Sequence, residues 1–246
     1  MWRKACAFFL STAVLCGSAF LAVQRWERAK EKLFEYTFSA DTAVICRYTG
    51  TKDSVALPEE IGGKQVTAVS DRAFYENHAV RSVQFPASVQ SIGAYAFYGC
   101  AGLEELILPS SLDFVGQYAF SQCPKLTQIE IPGNVTEIAE GAFSGMSRLE
   151  RVKIAGVFRI GEAAFADCPK LKTVIFSAPV QTIEKEAFFN DPALQSVTLP
   201  GAVSYIGERA FGYVCGQTIG SAVRIADFTL CADSDAAMEY KRANGL

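Results

Sequence analysis

Between residues 73 and 211 an Ala-Phe pair recurs seven times, with its aromatic member at Phe74, Phe97, Phe120, Phe143, Phe165, Phe188 and Phe211. Five of the steps are 23 residues long and one, from Phe143 to Phe165, is 22. A segment that short cannot bury its apolar face without a neighbour on either side, so each unit reads as one coil of a solenoid.

Aligned on phenylalanine, one unit runs Leu103, Leu106, Leu108 and Pro109, then Leu112, Val115, Gly116, Ala119 and Phe120, with Cys123 three residues later. The others repeat it: Leu126, Ile129 and Ile131 lead to Val135, Ile138 and Phe143, and Leu194, Val197 and Leu199 lead to Val203, Ile206 and Phe211. The last two apolar residues of each Leu-x-x-Leu-x-Leu run are two apart, which puts them on one face of a short strand. Proline then ends the strand, a second apolar pair covers the core from another side, and phenylalanine fills the middle. Between Ile154 and Val157 the proline is missing and the turn is one residue shorter, so a tighter turn with unchanged strand register is expected there.

Half of the 246 residues are apolar and a fifth are charged, enough for a packed core. No linker interrupts the repeats, which points to one elongated domain. The formal charge of −3 comes from mixed signs without a basic stripe, which sets nucleic acid aside as a partner. Residues 1–33 differ in kind: Arg3 and Lys4 precede an apolar run from Ala5 to Val23, followed by the charged stretch Gln24 to Lys32. That pattern is an export signal or signal-anchor helix. At ~1.5 Å per residue the run would just cross a bilayer, and Gly17 and Ala19 offer a cleavage site before Phe20, so both an uncleaved anchor and a cleaved signal stay open. Bulky Leu15 argues against lipoprotein processing at Cys16. The expected location is outside the cytoplasm, with a membrane link through this segment if it is uncleaved.

A solenoid must seal its ends. Residues 34–57 read as an N-terminal β cap through Tyr36-Thr37-Phe38 and Val44 to Tyr48, residues 58–215 as repeats, and residues 216–246 as a degenerate last coil with a cap helix. The first coil is lengthened by Gly62-Gly63-Lys64. Phe228-Thr229-Leu230 reads as a last strand and Asp235 to Ala243 as a short helix, capped by Ser234 or Asp233 and stopped at Gly245 and Leu246.

Catalytic constellations are thin. The only histidine, His78, sits in a turn without a partner nucleophile. The carboxylate pairs Glu59/Glu60, Glu104/Glu105 and Glu184/Glu186 read as solvated charge, not as a glycosidase pair across a cleft. There is no phosphate-cradling glycine loop or metal-spaced Cys/His cluster, so no catalytic residue, metal or cofactor is expected. Cys100, Cys123 and Cys168 occupy the place where Met146 stands in another unit, which points to apolar core. A Cys100 to Cys123 bridge is the rival, because adjacent coils bring their Cα atoms within disulfide reach. The pairing of Cys46, Cys215 and Cys231 cannot be read from spacing. Asn134-Val135-Thr136 matches a glycosylation sequon, but Val135 is a core position.

From residue 34 to 246 the chain resembles the BspA-like leucine-rich repeat proteins of bacterial and some protist surfaces. The carriers are Ile92-Gly93-Ala94-Tyr95-Ala96-Phe97, Ile206-Gly207-Glu208-Arg209-Ala210-Phe211 and the Cys-Pro-x-Leu turns at Cys123 and Cys168. The entry coil Leu57 to Lys64 and the tail Ser234 to Tyr240 are also similar. The pattern departs from the family in Gly212 to Ala226, where the leucine spacing is lost. What the resemblance implies is a β-rich solenoid of about 23 residues per coil and a surface or secreted ligand-binding protein, with no shared catalytic residues.

Strand residues between the inward ones must point outward. Stacking lines them into one column of Gln84, Ile107, Glu130, Lys153, Ile175 and Thr198 and a second of Ser82, Glu105, Gln128, Arg151, Thr173 and Ser196. Ile107 and Ile175 are large apolar residues flanking the charged Glu130 and Lys153, a mixture suited to a contact patch. The expected function is binding of an extracellular protein or glycan on this face, and the family resemblance implies that such binding serves adhesion or host and microbe contact. The alternative is a structural or envelope-assembly spacer without a specific external ligand.

Overall fold

The computed structural model describes residues 33–201, 203–216, 218, 221–232 and 234–246. The export reading of the N-terminal segment lies outside them apart from Leu33, and so does the Asp233 capping alternative. Among the described residues no helix is long and apolar enough to cross a membrane.

Each coil has three sides. The first side is the Leu-x-x-Leu-x-Leu strand, found as β3 (Ser54–Ala56), β6 (Ser82–Gln84), β8 (Glu105–Ile107), β10 (Gln128–Ile131), β12 (Arg151–Ile154), β14 (Thr173–Phe176), β16 (Ser196–Thr198) and β20 (Thr229–Cys231). These pair in parallel as β3-β6-β8, β10-β12-β14 and β16-β20. The second side carries two-residue strands, β7 (Ser91–Ile92), β9 (Phe114–Val115), β11 (Glu137–Ile138), β13 (Arg159–Ile160), β15 (Thr182–Ile183) and β17 (Tyr205–Ile206), in one continuous parallel ladder. The alternation of inward and outward residues is strict: β8 reads exposed, buried, exposed across Glu105, Leu106 and Ile107.

The third side is the turn bearing Ala-Phe. The seven phenylalanines are all buried, and successive rings stack with centroids 4.6 to 5.5 Å apart. Each buries most of its surface, worth ~1.5 to 3 kcal/mol, and each interior ring touches two others. The backbone reinforces the stack, because each phenylalanine N–H donates to the alanine carbonyl of the following coil, from Phe74 to Ala96 at 2.7 Å through Phe188 to Ala210 at 2.9 Å. To aim these N–H groups along the solenoid axis, the residue two before each phenylalanine takes a positive φ: Arg72, Tyr95, Tyr118, Gly141, Ala163, Glu186 and Arg209. Only one of the seven is glycine, so the left-handed position is hidden in the sequence. The glycine of Ile-Gly has a different cause. A Cβ on Gly207 would lie 2.3 Å from the backbone nitrogen of Lys185 in the coil before.

The short step behaves as expected. β12 and β13 keep register with both neighbours, and the lost residue falls in a turn where a Cβ on Gly156 would meet the Gly133 carbonyl at 2.6 Å.

Both ends imitate a coil. At the N-terminus β1 (Phe34–Ser39) and β2 (Thr42–Tyr48) form an antiparallel hairpin, and β2 continues the second ladder through β5 (Lys64–Val69). The inserted Gly62 and Gly63, both at positive φ, make the tight turn between β4 (Glu60–Ile61) and β5. Tyr48 takes the phenylalanine role: its ring stacks on Phe74 at 5.1 Å and its N–H donates to the Ala73 carbonyl. In the departing stretch, β18 (Tyr213–Cys215) and β19 (Ala222–Arg224) form a hairpin in place of a repeat, after which β20 pairs with β16. Helix α1 (Asp235–Asn244), capped by Ser234 and stopped by left-handed Gly245, closes the end. Its Tyr240 hydroxyl accepts the Phe211 N–H at 2.9 Å, where another coil would supply an alanine carbonyl, and donates to the Phe211 carbonyl at 2.8 Å. Ile206, expected in the core, is only half-buried because no further repeat covers it.

Candidate functional site

The first ladder presents the predicted face. Ile107 is 69% exposed and Ile175 39% exposed, the former the most exposed large apolar residue described. Register places Ser82 beside Glu105 and Gln84 beside Ile107, then Gln128, Arg151 and Thr173 in one row and Glu130, Lys153 and Ile175 in the next. Ser196 and Thr198 pair with Thr229 and Cys231, so the two columns run across three short sheets and end on an exposed cysteine. Glu105, Gln128, Glu130, Arg151, Ser196 and Thr198 are exposed, while Ser82 and Thr173 are half-buried.

The central charges are not free. Lys153 Nζ lies 2.5 Å from Glu130 Oε1, so the pair offers local polarity without net charge. Similar lateral pairs join coils elsewhere: Lys125 with Glu104, Lys172 with Glu150, and Arg159 with both Glu137 and Glu184. Hydrogen bonding from Lys125 holds the Glu104 carboxyl below the usual carboxylate range. Both members of the Glu184/Glu186 pair are thereby taken up, since Glu186 meets Arg209 at 2.9 Å, and one member, Glu104, of the Glu104/Glu105 pair. Such exposed pairs contribute little each, ~0 to 1 kcal/mol.

The turn side carries residues that the strand pattern did not single out. Tyr75 stacks on Tyr98 at 5.4 Å and Tyr95 on Tyr118 at 5.2 Å, with the Arg72 guanidinium within 6 Å of Tyr75 and Tyr95. The Tyr118 hydroxyl donates to Glu140, and this bond pushes its pKa up to about 12. The second ladder exposes Phe114 and Tyr205, and Phe158 stands just before β13, all near half-exposure. Periodicity marks these as outward positions but does not distinguish a strand face used for contact from one that is merely soluble.

The thiols of the repeat core are not poised as nucleophiles. Cys100, Cys123 and Cys168 are free, buried thiols donating to the Phe74, Phe97 and Phe143 carbonyls. Burial pushes Cys100 up to about 12 and the other two well above the ordinary range, the opposite of activation. His78 is exposed, and among the described residues no group of carboxylates, thiols or imidazole could hold a metal ion. Asn134 is exposed, its amide donating to the Ser110 carbonyl.

A sequence profile described as "BspA type Leucine rich repeat region" matches residues 67–191 and 154–219 in six copies. Among solved structures, a leucine-rich cell-surface protein of Faecalibacterium prausnitzii A2-165 is similar at 30% identity and a TM-score of 0.66, over 78% of this chain and 59% of that one. The T. pallidum leucine-rich repeat protein is similar at 29% identity and a TM-score of 0.50, over 63% of this chain and 82% of that one. The chain therefore spans less than two thirds of the Faecalibacterium protein's length. None of the curated proteins matches this chain in sequence.

Proposed function

The chain belongs to the BspA-type leucine-rich repeat family, and from that premise we propose that it is an exported, non-catalytic recognition module that binds a protein or glycan partner at the cell surface through its first ladder. The family is a repeat scaffold that generally mediates protein interactions and is generally non-catalytic. One observation carries the finer reading: Ile107 and Ile175 stand exposed on either side of the neutralised Glu130 and Lys153 pair. Apolar side chains flanking a charge pair supply desolvation energy at the edges and orientation at the centre. The Faecalibacterium relative is described as a cell-surface protein, and the basic and apolar N-terminal pattern supports the same location here, as an anchor or as a cleaved signal.

The test is a pull-down from envelope and host-matrix extracts with the parent, an Ile107→Glu variant and a Phe114→Glu variant of equal stability. Recovery of one identified partner by the parent and Phe114→Glu, with loss of at least about tenfold in Ile107→Glu, is expected. Loss in Phe114→Glu alone moves the site to the second ladder. Absence of any partner, together with self-association in sedimentation, supports the spacer alternative.

A further inference from the structure

The N-terminal end of the turn side opens into a groove of about 670 Å³, lined by Glu35, Arg47, Arg72, Tyr75, Glu76 and Asn77 among others. Its backbone edge is one-sided. In every coil the turn N–H groups point towards the following coil, and here Arg72, Phe74 and Glu76 donate to Ala94, Ala96 and Tyr98. The matching carbonyls point the other way, towards the groove. Tyr48 fills the Ala73 carbonyl, while the Asp71 and Tyr75 carbonyls accept no hydrogen bond among the described residues. A peptide adding a strand to an edge needs alternating donors and acceptors from it, and this edge supplies acceptors alone.

The side chains add both kinds of partner. Arg47, Arg72, Glu35 and Glu76 form no ion pairs among the described residues, and Asn77 uses only its Oδ1, on the amides of Ala79 and Val80. The two guanidiniums stand among three carboxylates, because Asp71 keeps its charge while accepting the Ala94 amide at 2.7 Å, and the Glu76 carboxylate accepts from the Tyr75 hydroxyl. An anionic ligand therefore meets three carboxylates and a cationic one two guanidiniums. Tyr75, 42% exposed, stacked on Tyr98 and with the Arg72 guanidinium 5.8 Å from its ring centroid, supplies a flat aromatic wall.

We propose that this groove binds an uncharged oligosaccharide. Each hydroxyl both donates and accepts, so neighbouring hydroxyls can give to the open carbonyls and carboxylates while receiving from the guanidiniums and the Asn77 amide. The C–H face of a sugar ring packs on Tyr75, where apolar contact and polar orientation combine as in other small-ligand sites. The site lies off the first ladder and does not depend on that face.

The experiment is a titration of the full chain, in a detergent without a sugar headgroup, against neutral gluco-, galacto- and manno-oligosaccharides, their acidic counterparts and an extended peptide. Ligand-observed saturation transfer and calorimetry are the readouts. Binding of at least one neutral oligosaccharide is expected, weakened about tenfold by Tyr75→Ala and also weakened by Glu35→Gln, which changes only an exposed head group. Ile107→Glu leaves it unchanged, which separates this site from the first-ladder reading. The proposal is overturned if no neutral oligosaccharide binds at millimolar concentration, if only acidic sugars or the peptide bind, or if Glu35→Gln and Tyr75→Ala both bind like the parent.

Discussion

Asp191→Asn should stabilise the protein at neutral pH and flatten its pH dependence. Asp191 stands three residues after Phe188, the position that Cys100, Cys123, Met146 and Cys168 hold after their own phenylalanines. It is fully buried; Oδ1 accepts the Cys168 amide at 2.7 Å, while Oδ2 has no hydrogen-bond partner. Burial raises its pKa well above the usual carboxylate range, against the opposing pull of the Cys168 amide, and the nearby Asp167 raises it further. The folded protein thus keeps a proton that the unfolded chain releases above about 3.9. The contribution to stability is full below that pH and declines as pH rises towards the folded-state pKa, by about 1.4 kcal/mol per pH unit. Asparagine keeps the acceptor for Cys168 and cannot ionise. Urea unfolding of both proteins at steps from about pH 4 to about pH 7 isolates the effect, because every other titrating group cancels in the difference. The gap should widen with pH; a gap that stays constant across the range refutes the argument.

Three further outcomes follow from the packing. Ala119→Leu should overpack a fully buried site and cost ~1 to 3 kcal/mol, and an unchanged urea midpoint would count against that packing. Tyr240→Phe should strand the Phe211 N–H, costing ~1 to 3 kcal/mol and speeding hydrogen exchange at Phe211 but not at Phe120; equal protection in both variants would contradict the capping role. Alkylation followed by peptide mapping should label Cys215 and Cys231 in the native protein and Cys100, Cys123 and Cys168 only after unfolding. A recovered Cys100 to Cys123 disulfide would contradict the free-thiol core.

The repeat was legible because packing imposes it directly. A buried ring at the centre of every coil and alternating strand residues leave a period that no surface choice can blur, as Phe97, Phe120 and Phe143 illustrate. The ends were legible where they used ordinary signals, such as Ser234 and Gly245 around α1. Other features were not. Left-handed backbone at Tyr95, Tyr118 and Arg209 is set by axial hydrogen bonding and leaves no glycine to mark it. Asp191 hides in a column of thiols and thioether, where only its neighbours reveal the burial. The Arg72, Tyr75, Tyr95 and Tyr98 cluster joins residues of adjacent coils whose proximity follows from stacking, yet their identities are free of the core pattern. The first-ladder columns followed from alternation alone, whereas the pairing of Glu130 with Lys153 needed the register.

The central claim, recognition through the first ladder, is tested most directly by placing a photo-crosslinking residue at Ile107, Ile175 or Thr182, the last in the second ladder, and irradiating the protein with its envelope and matrix extracts. The account predicts one discrete adduct, identified by mass spectrometry as the same partner, from the first two positions and none from the third. An adduct confined to Thr182, or equal labelling from all three, would contradict it.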